Sequence, residues 1–150
     1  MKQVLQNISN GETQLVEVPC PQARNGQLLI STTKSLVSVG TERMLIDFGK
    51  SGWIAKARSQ PDKVKMVLDK VKTDGLMNTI DTVRSKLDQP LPLGYCNVGL
   101  VQDSGNTGYE VGTRVVSNGN HAEVVRVPKN LCSEIPDNVD DETAVFTVLA

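Results

Sequence analysis

The sequence predicts a mainly β domain, an antiparallel barrel or sandwich, with a helical insertion in its middle. Two observations carry this. Residues 90–136 form short apolar, β-branched runs with Gly- or Asn-containing turns about every ten residues. Between residues 61 and 87 the apolar spacing changes to the i, i+3, i+4, i+7 period of an amphipathic helix.

At 150 residues, with 39% apolar and 22% charged residues, the chain reads as one domain with a real core, not a disordered segment. A net charge of −1 argues against bulk nucleic-acid binding. No apolar run approaches membrane-spanning length, and no signal peptide precedes residues 2–7. The scattered cysteines Cys20, Cys96 and Cys132 suggest reduced thiols and a cytoplasmic location, not a disulfide framework. Charge is uneven. Residues 43–72 hold eight Lys/Arg against three Asp, and residues 130–142 hold five acidic groups and no basic one. These are two solvated faces, or else a basic patch that attracts an anionic substrate or cofactor phosphate.

Residues 2–7 and 13–18 flank Asn10-Gly11 and read as a hairpin, with Pro19 and Pro21 ending its second strand. Residues 27–38 form a long strand candidate after the Asn25-Gly26 turn. Next comes Val39-Gly40-Thr41-Glu42, where a glycine at a strand end permits a sharp bend. The insertion spans about 47–88. Pro61 suits a first helical turn, with Ser59 or Gln60 as cap. Val64, Val67, Leu68 and Val71 share one face, Asp74-Gly75 breaks the pattern, and Leu76, Ile80, Val83 and Leu87 share the next. A helical hairpin follows, preceded by a short helix near 53–58, with its apolar faces against the barrel or serving as a cleft cover or oligomer contact. Pro90 and Pro92 return the chain to strands at 97–102, 113–117 and 121–127. In the last, His121, Glu123, Val125 and Val127 alternate with Ala122, Val124 and Arg126, and Pro128 ends it. A final helix is expected over 138–150, capped by Asp140 or Asp141. Its charge-free end, AVFTVLA, reads as an interrupted helix in a truncated domain.

The order LGYCNVGLVQDSGN, YEVGTRVV, HAEVVRVPKNL and IPDNVDDETAVF resembles the N-terminal catalytic domain of medium-chain dehydrogenases. This is the zinc alcohol dehydrogenase-like superfamily, whose pattern is GHE-x-x-G-x-V, GDRV, AEY and IPD. The resemblance covers both ends of the chain and not its middle. It is nearest to bacterial two-module oxidoreductases fused to a glucose–fructose-oxidoreductase-like domain. It implies a GroES-like, partly open antiparallel barrel over residues 1–150, with a Rossmann domain after Ala150. It also implies NAD or NADP in the full-length protein, a small-molecule substrate that is an alcohol, a carbonyl or a sugar derivative, and an inactive isolated domain. A homodimer is possible through exposed strand edges or the insertion.

Catalytic zinc needs three protein ligands and an open position. In the resembling enzymes two ligands are the Cys before Gly-Thr and the His of GHE. Here those positions are Val39 and Tyr95, and the Glu position is Cys96. Valine has no donor atom and neutral tyrosine is a poor ligand, so zinc-independent chemistry is expected, with no cofactor in this chain. No closely spaced four-cysteine lobe suggests a structural zinc either. His121 lies outside the motif and reads as a surface or strand-end residue. The candidate catalytic groups are therefore Tyr95 as proton donor, Thr41 as substrate-oxygen ligand or relay, and Glu42 as their modulator or only a residue that holds the turn. Val39, Gly40, Cys96 and Asn97 are expected to line the substrate cleft. Tyr95 is alternatively a structural tyrosine bonded to backbone, and Cys96 a small buried residue. The competing readings are a non-catalytic binding or assembly module on the same barrel, or a ring-forming co-chaperonin.

Overall fold

The computed structural model describes residues 1–148, without the side chains of Trp53, Asp74 and Arg84. Two antiparallel sheets, one a curled half-barrel, combine with helices, which is the expected partial GroES-like barrel. The chain divides into two compact units. The first comprises Met1–Leu5, Leu15–Val39 and Pro92–Ala150; the second comprises Gln6–Gln14 and Gly40–Leu91.

The first unit holds the main sheet. Strands β1 (Lys2–Gln6) and β2 (Thr13–Glu17) form the expected hairpin, and with β4 (Leu91–Pro92) make a small sheet ordered β2-β1-β4. The larger sheet, ordered β7-β3-β5-β6-β8, uses β3 (Gln27–Ser35), β5 (Asn97–Asp103), β6 (Arg114–Ser117), β7 (Val124–Pro128) and β8 (Cys132–Glu134). All four of its pairings are antiparallel. The β3–β5 register shifts between Leu29/Ile30 and Thr32/Lys34, and such bulges bend a sheet and increase its twist. At Gly99 the strands approach so closely that a Cβ would lie 2.2 Å from the Ser31 carbonyl oxygen. Beyond β7 the wall continues through Glu123 N–H to Lys2 O (3.0 Å) and Val4 N–H to His121 O (2.9 Å).

Apolar residues lie on both faces of the large sheet. Leu28, Ile30, Val101, Val115, Ala122, Val125 and Val127 form one cluster. Cys96, Val98, Val116, Ile135, Ala144 and Val145 form another. Adjacent Val115 and Val116 fall in different clusters because successive strand side chains point to opposite faces. The second cluster is closed by α5 (Asp141–Ala144) and the 3-10 turn Val145–Val148. The final helix is thus much shorter than 138–150, and Leu149 and Ala150 lie outside the described residues. Its expected cap is present: the Asp140 carboxylate accepts from the Thr143 N–H at 2.6 Å. Arg114 donates to Asp141 at 2.6 Å and to Val139 O at 2.8 Å, and Thr33, at the bulge, donates to Asp141 at 3.1 Å. Lys34 pairs with Glu142. Part of the acidic run is therefore paired to the sheet.

The second unit holds α1 (Val39–Lys50), α2 (Trp53–Ser59), α3 (Pro61–Asp74) and α4 (Leu76–Asp88). Pro61 occupies the first turn of α3 as expected, and Gln60 takes the cap position without a side-chain bond. Gly75, at φ 82°, separates α3 from α4. The organising contact is Lys56, whose ammonium donates to the carbonyls of Ile8 (2.9 Å), Ser9 (3.0 Å) and Gly49 (2.8 Å). Gln6 Nε2 donates to Leu45 O at 3.0 Å. The apolar stripe of the helical pair is less buried than its spacing suggested. Val64, Val67, Val71, Val83 and Leu87 are half-buried, and Leu68, Leu76 and Ile80 are exposed.

Two local readings need correction. The strand from 27 ends at Ser35, not at residue 38. The Val39–Glu42 stretch is the first turn of α1, not a strand-end bend, and Gly40 has open space where a Cβ would be. Thr41 and Glu42 tolerate helix once the preceding strand ends, and Glu42 supplies first-turn negative charge.

Candidate functional site

Residues 93–97 pass from β4 into β5 and carry Gly94, Tyr95, Cys96 and Asn97. This segment is pinned on both sides of Tyr95. Before it, Leu93 N–H donates to Val4 O (3.0 Å) and Leu93 O accepts from His121 N–H (2.8 Å). After it, Cys96 O accepts from Leu36 N–H (3.0 Å). Gly94 sits at φ 90°, a conformation that side chains with a Cβ rarely adopt. A Cβ there would also lie 2.7 Å from the His121 ring carbons Cγ and Cδ2. Glycine at this position is required twice, by backbone angle and by the packed imidazole.

His121 is not a surface residue. Only 9% of it is accessible, and its Nδ1 lies 2.9 Å from the Ser35 hydroxyl. Alternation had set it on the face of Val125 and Val127, and that face proves to be core. Regular alternation fails at Glu123, which is exposed, because β7 begins only at Val124. A buried histidine there was legible from its apolar companions. Ser35 was not, since a serine near a strand end carries no signal of its own.

Asn97 is fully enclosed. Its Nδ2 donates to the Thr32 hydroxyl at 2.8 Å, and its Oδ1 is a buried acceptor without a hydrogen-bond partner. It pairs in register with both Ser35 and Ser117. Buried Ser117 accepts from Gly119 N–H at 3.2 Å. Thr32, Ser35, Asn97, Ser117 and His121 thus cluster at one end of the large sheet. Cys96 is fully buried within the second apolar cluster, and half-buried Tyr95 packs against that cluster. Neither Cys96 nor Asn97 offers surface to a ligand, so the cleft expected at these two residues has no wall here. Val39, Gly40 and Thr41 are exposed and Glu42 is buried. Val39 belongs to the first unit, whereas Gly40, Thr41 and Glu42 belong to the second.

Clefts also line the first unit. One of about 410 Å³ runs along β7 beside Val18, Pro19 and Asn118–Asn120. Another of about 570 Å³ lies among Thr107–Glu110, Thr113, Lys129 and Glu134. A third of about 220 Å³ includes Cys132. Burial pushes the Cys132 thiol up to about 11, so it stays protonated and unreactive near neutrality.

The residues do not fit a catalytic zinc. Among the described residues no three His, Cys, Asp or Glu are grouped to hold a metal ion. Val39 supplies no donor, and Cys96 is sealed within apolar side chains. No G-x-G-x-x-G occurs, and the antiparallel ladders of the large sheet contain no βαβ unit. Among the described residues no helix is long and apolar enough to cross a membrane.

No family model and no curated protein matches the chain. Solved structures do. A mycobacterial quinone oxidoreductase matches at 21% identity and a TM-score of 0.61, over 99% of this chain and 38% of its own. The quinone oxidoreductase of Thermus thermophilus matches at 18% identity and 0.57, over 97% of this chain and 36% of its own. Escherichia coli quinone oxidoreductase complexed with NADPH matches at 12% identity and 0.61, over 97% and 36%. What is shared is the fold. This chain spans little more than a third of the length of each.

Proposed function

We propose that this chain is the substrate-side domain of a zinc-independent, NAD(P)-dependent oxidoreductase acting on an alcohol or carbonyl. The supporting observation is the fold match along nearly the whole chain to enzymes that include NADPH complexes. In this reading Tyr95 donates the proton to the substrate oxygen, and Thr41 holds that oxygen or relays the proton. Glu42 tunes the pair, Val39 and Gly40 border the cleft, and buried Cys96 and Asn97 support the segment that carries Tyr95. The pyrophosphate-binding Rossmann domain belongs after Ala150, so residues 1–150 alone neither bind the dinucleotide nor turn over. The cytoplasm is the proposed location, in keeping with three free cysteines. A sugar or sugar derivative is the proposed substrate class, and the fused two-module arrangement would supply its context.

Calorimetry of residues 1–150 with NADPH tests the division of labour. No heat of binding is expected, and micromolar binding would contradict it. NADPH oxidation with quinone, aldehyde and keto-sugar acceptors, measured on a polypeptide continuing past Ala150, tests the chemistry. One observation favours a non-catalytic binding or assembly module instead: valine and tyrosine occupy two of the positions where the resembling enzymes place metal ligands. Turnover with any of those acceptors would exclude it.

A further inference from the structure

We propose that Ser35 and His121 form a positioning pair that fixes the orientation of Tyr95. The inference rests on the reading of Tyr95 as proton donor.

The ring of His121 fills the space beside the Gly94 Cα, within 2.7 Å of where a Cβ would be. The backbone N–H of His121 simultaneously holds the carbonyl of Leu93 at 2.8 Å. One residue thus grips the two positions before Tyr95, by hydrogen bond and by packing. The ring cannot rotate about its side-chain torsions without losing either the contact at Gly94 or the 2.9 Å link to Ser35. Ser35 is the last residue of β3, and it pairs in register with Asn97, two positions after Tyr95. The adjacent Leu36 N–H takes the Cys96 carbonyl at 3.0 Å. The end of β3 therefore acts on both sides of Tyr95, directly through Leu36 and Asn97 and indirectly through the imidazole. A small error in donor position costs a catalyst far more than it costs a fold, because proton transfer needs hydrogen-bond reach. A buried, hydroxyl-locked histidine under an obligatory glycine supplies that precision.

The test is aromatic NMR of the chain with labelled tyrosine. The two tyrosines, Tyr95 and Tyr109, give two sets of ring signals. Tyr109 bonds to Cys132 O at 3.3 Å and serves as the internal reference. Ser35 is an exposed residue at the end of β3, so Ser35→Ala should fold. Its Tyr95 ring signals should move or split while those of Tyr109 stay. Ser35→Thr should restore the original Tyr95 signals, which general loosening of the strand would not achieve. His121→Asn, judged where its amide spectrum remains folded, should move Tyr95 as Ser35→Ala does. Unchanged Tyr95 signals in Ser35→Ala would overturn the proposal, as would a shift that Ser35→Thr fails to reverse. In a polypeptide that turns over, Ser35→Ala should lower kcat about tenfold with little change in KM. Failure of the enzymatic reading is separable. Turnover unaffected by Tyr95→Phe would remove the proton donor while the NMR coupling stood.

Discussion

Asp141 shows how single side chains secure this fold. Its carboxylate accepts from Arg114 and from Thr33, and these bonds, the Arg114 bond foremost, hold its pKa below the usual 3.8. The pair is partly buried, with side-chain exposures of 32% for Arg114 and 20% for Asp141, so solvent screens it only in part. Asp141→Asn should cost about 1–2 kcal/mol at neutral pH. Because the folded pKa is depressed, this stability is present above the ordinary carboxylate value and is lost as pH falls through the folded one. Thermal melts of the two proteins should therefore differ by a constant margin near neutrality and converge in acid below 3.8. A gap that widens in acid would contradict the assignment. Glycine at residue 94 is the matching case for backbone, since its angle and its neighbour both exclude a Cβ.

Among the elements, helix α2 depends on a single cation. Lys56 is buried, donates to three carbonyls and lies 5.9 Å from the Phe48 ring centre. Charged hydrogen bonds of this kind each contribute more than neutral ones. Lys56→Met keeps much of the apolar stem and leaves the carbonyls without this donor, so it should cost about 2–3 kcal/mol. Hydrogen exchange should show the loss in α1 and α2 and spare β3 and β5. Uniform loss across both sets would contradict the local clamp. The helices α3 and α4 were legible because apolar spacing, Pro61 and Gly75 agreed. The first turn of α1 was not, because Val39-Gly40-Thr41-Glu42 has low helix propensity at three of four positions. Lys56 could not be foreseen, since its acceptors lie up to 48 residues away in the sequence.

At the scale of the whole molecule, the barrel was readable from local punctuation. Glycine turns, β-branched runs and Pro128 at the end of β7 all survive in the structure. The site was readable only in part. Gly94-Tyr95-Cys96 could be singled out by its resemblance to the metal-binding triplet of the dehydrogenases, yet burial of Cys96 and Asn97 depends on α5 and on distant Thr32, Ser117 and Gly119. Contacts that close over a residue from three or four segments leave no periodic trace in its own neighbourhood. Under the proposed function Tyr95 delivers a proton in a nicotinamide-dependent reaction. The most direct test of that step is single-turnover kinetics of Tyr95→Phe in a polypeptide that carries the dinucleotide domain. A fall of about 10²–10⁴-fold in the chemical step, with substrate affinity kept, is the expected result. An unchanged rate would contradict it.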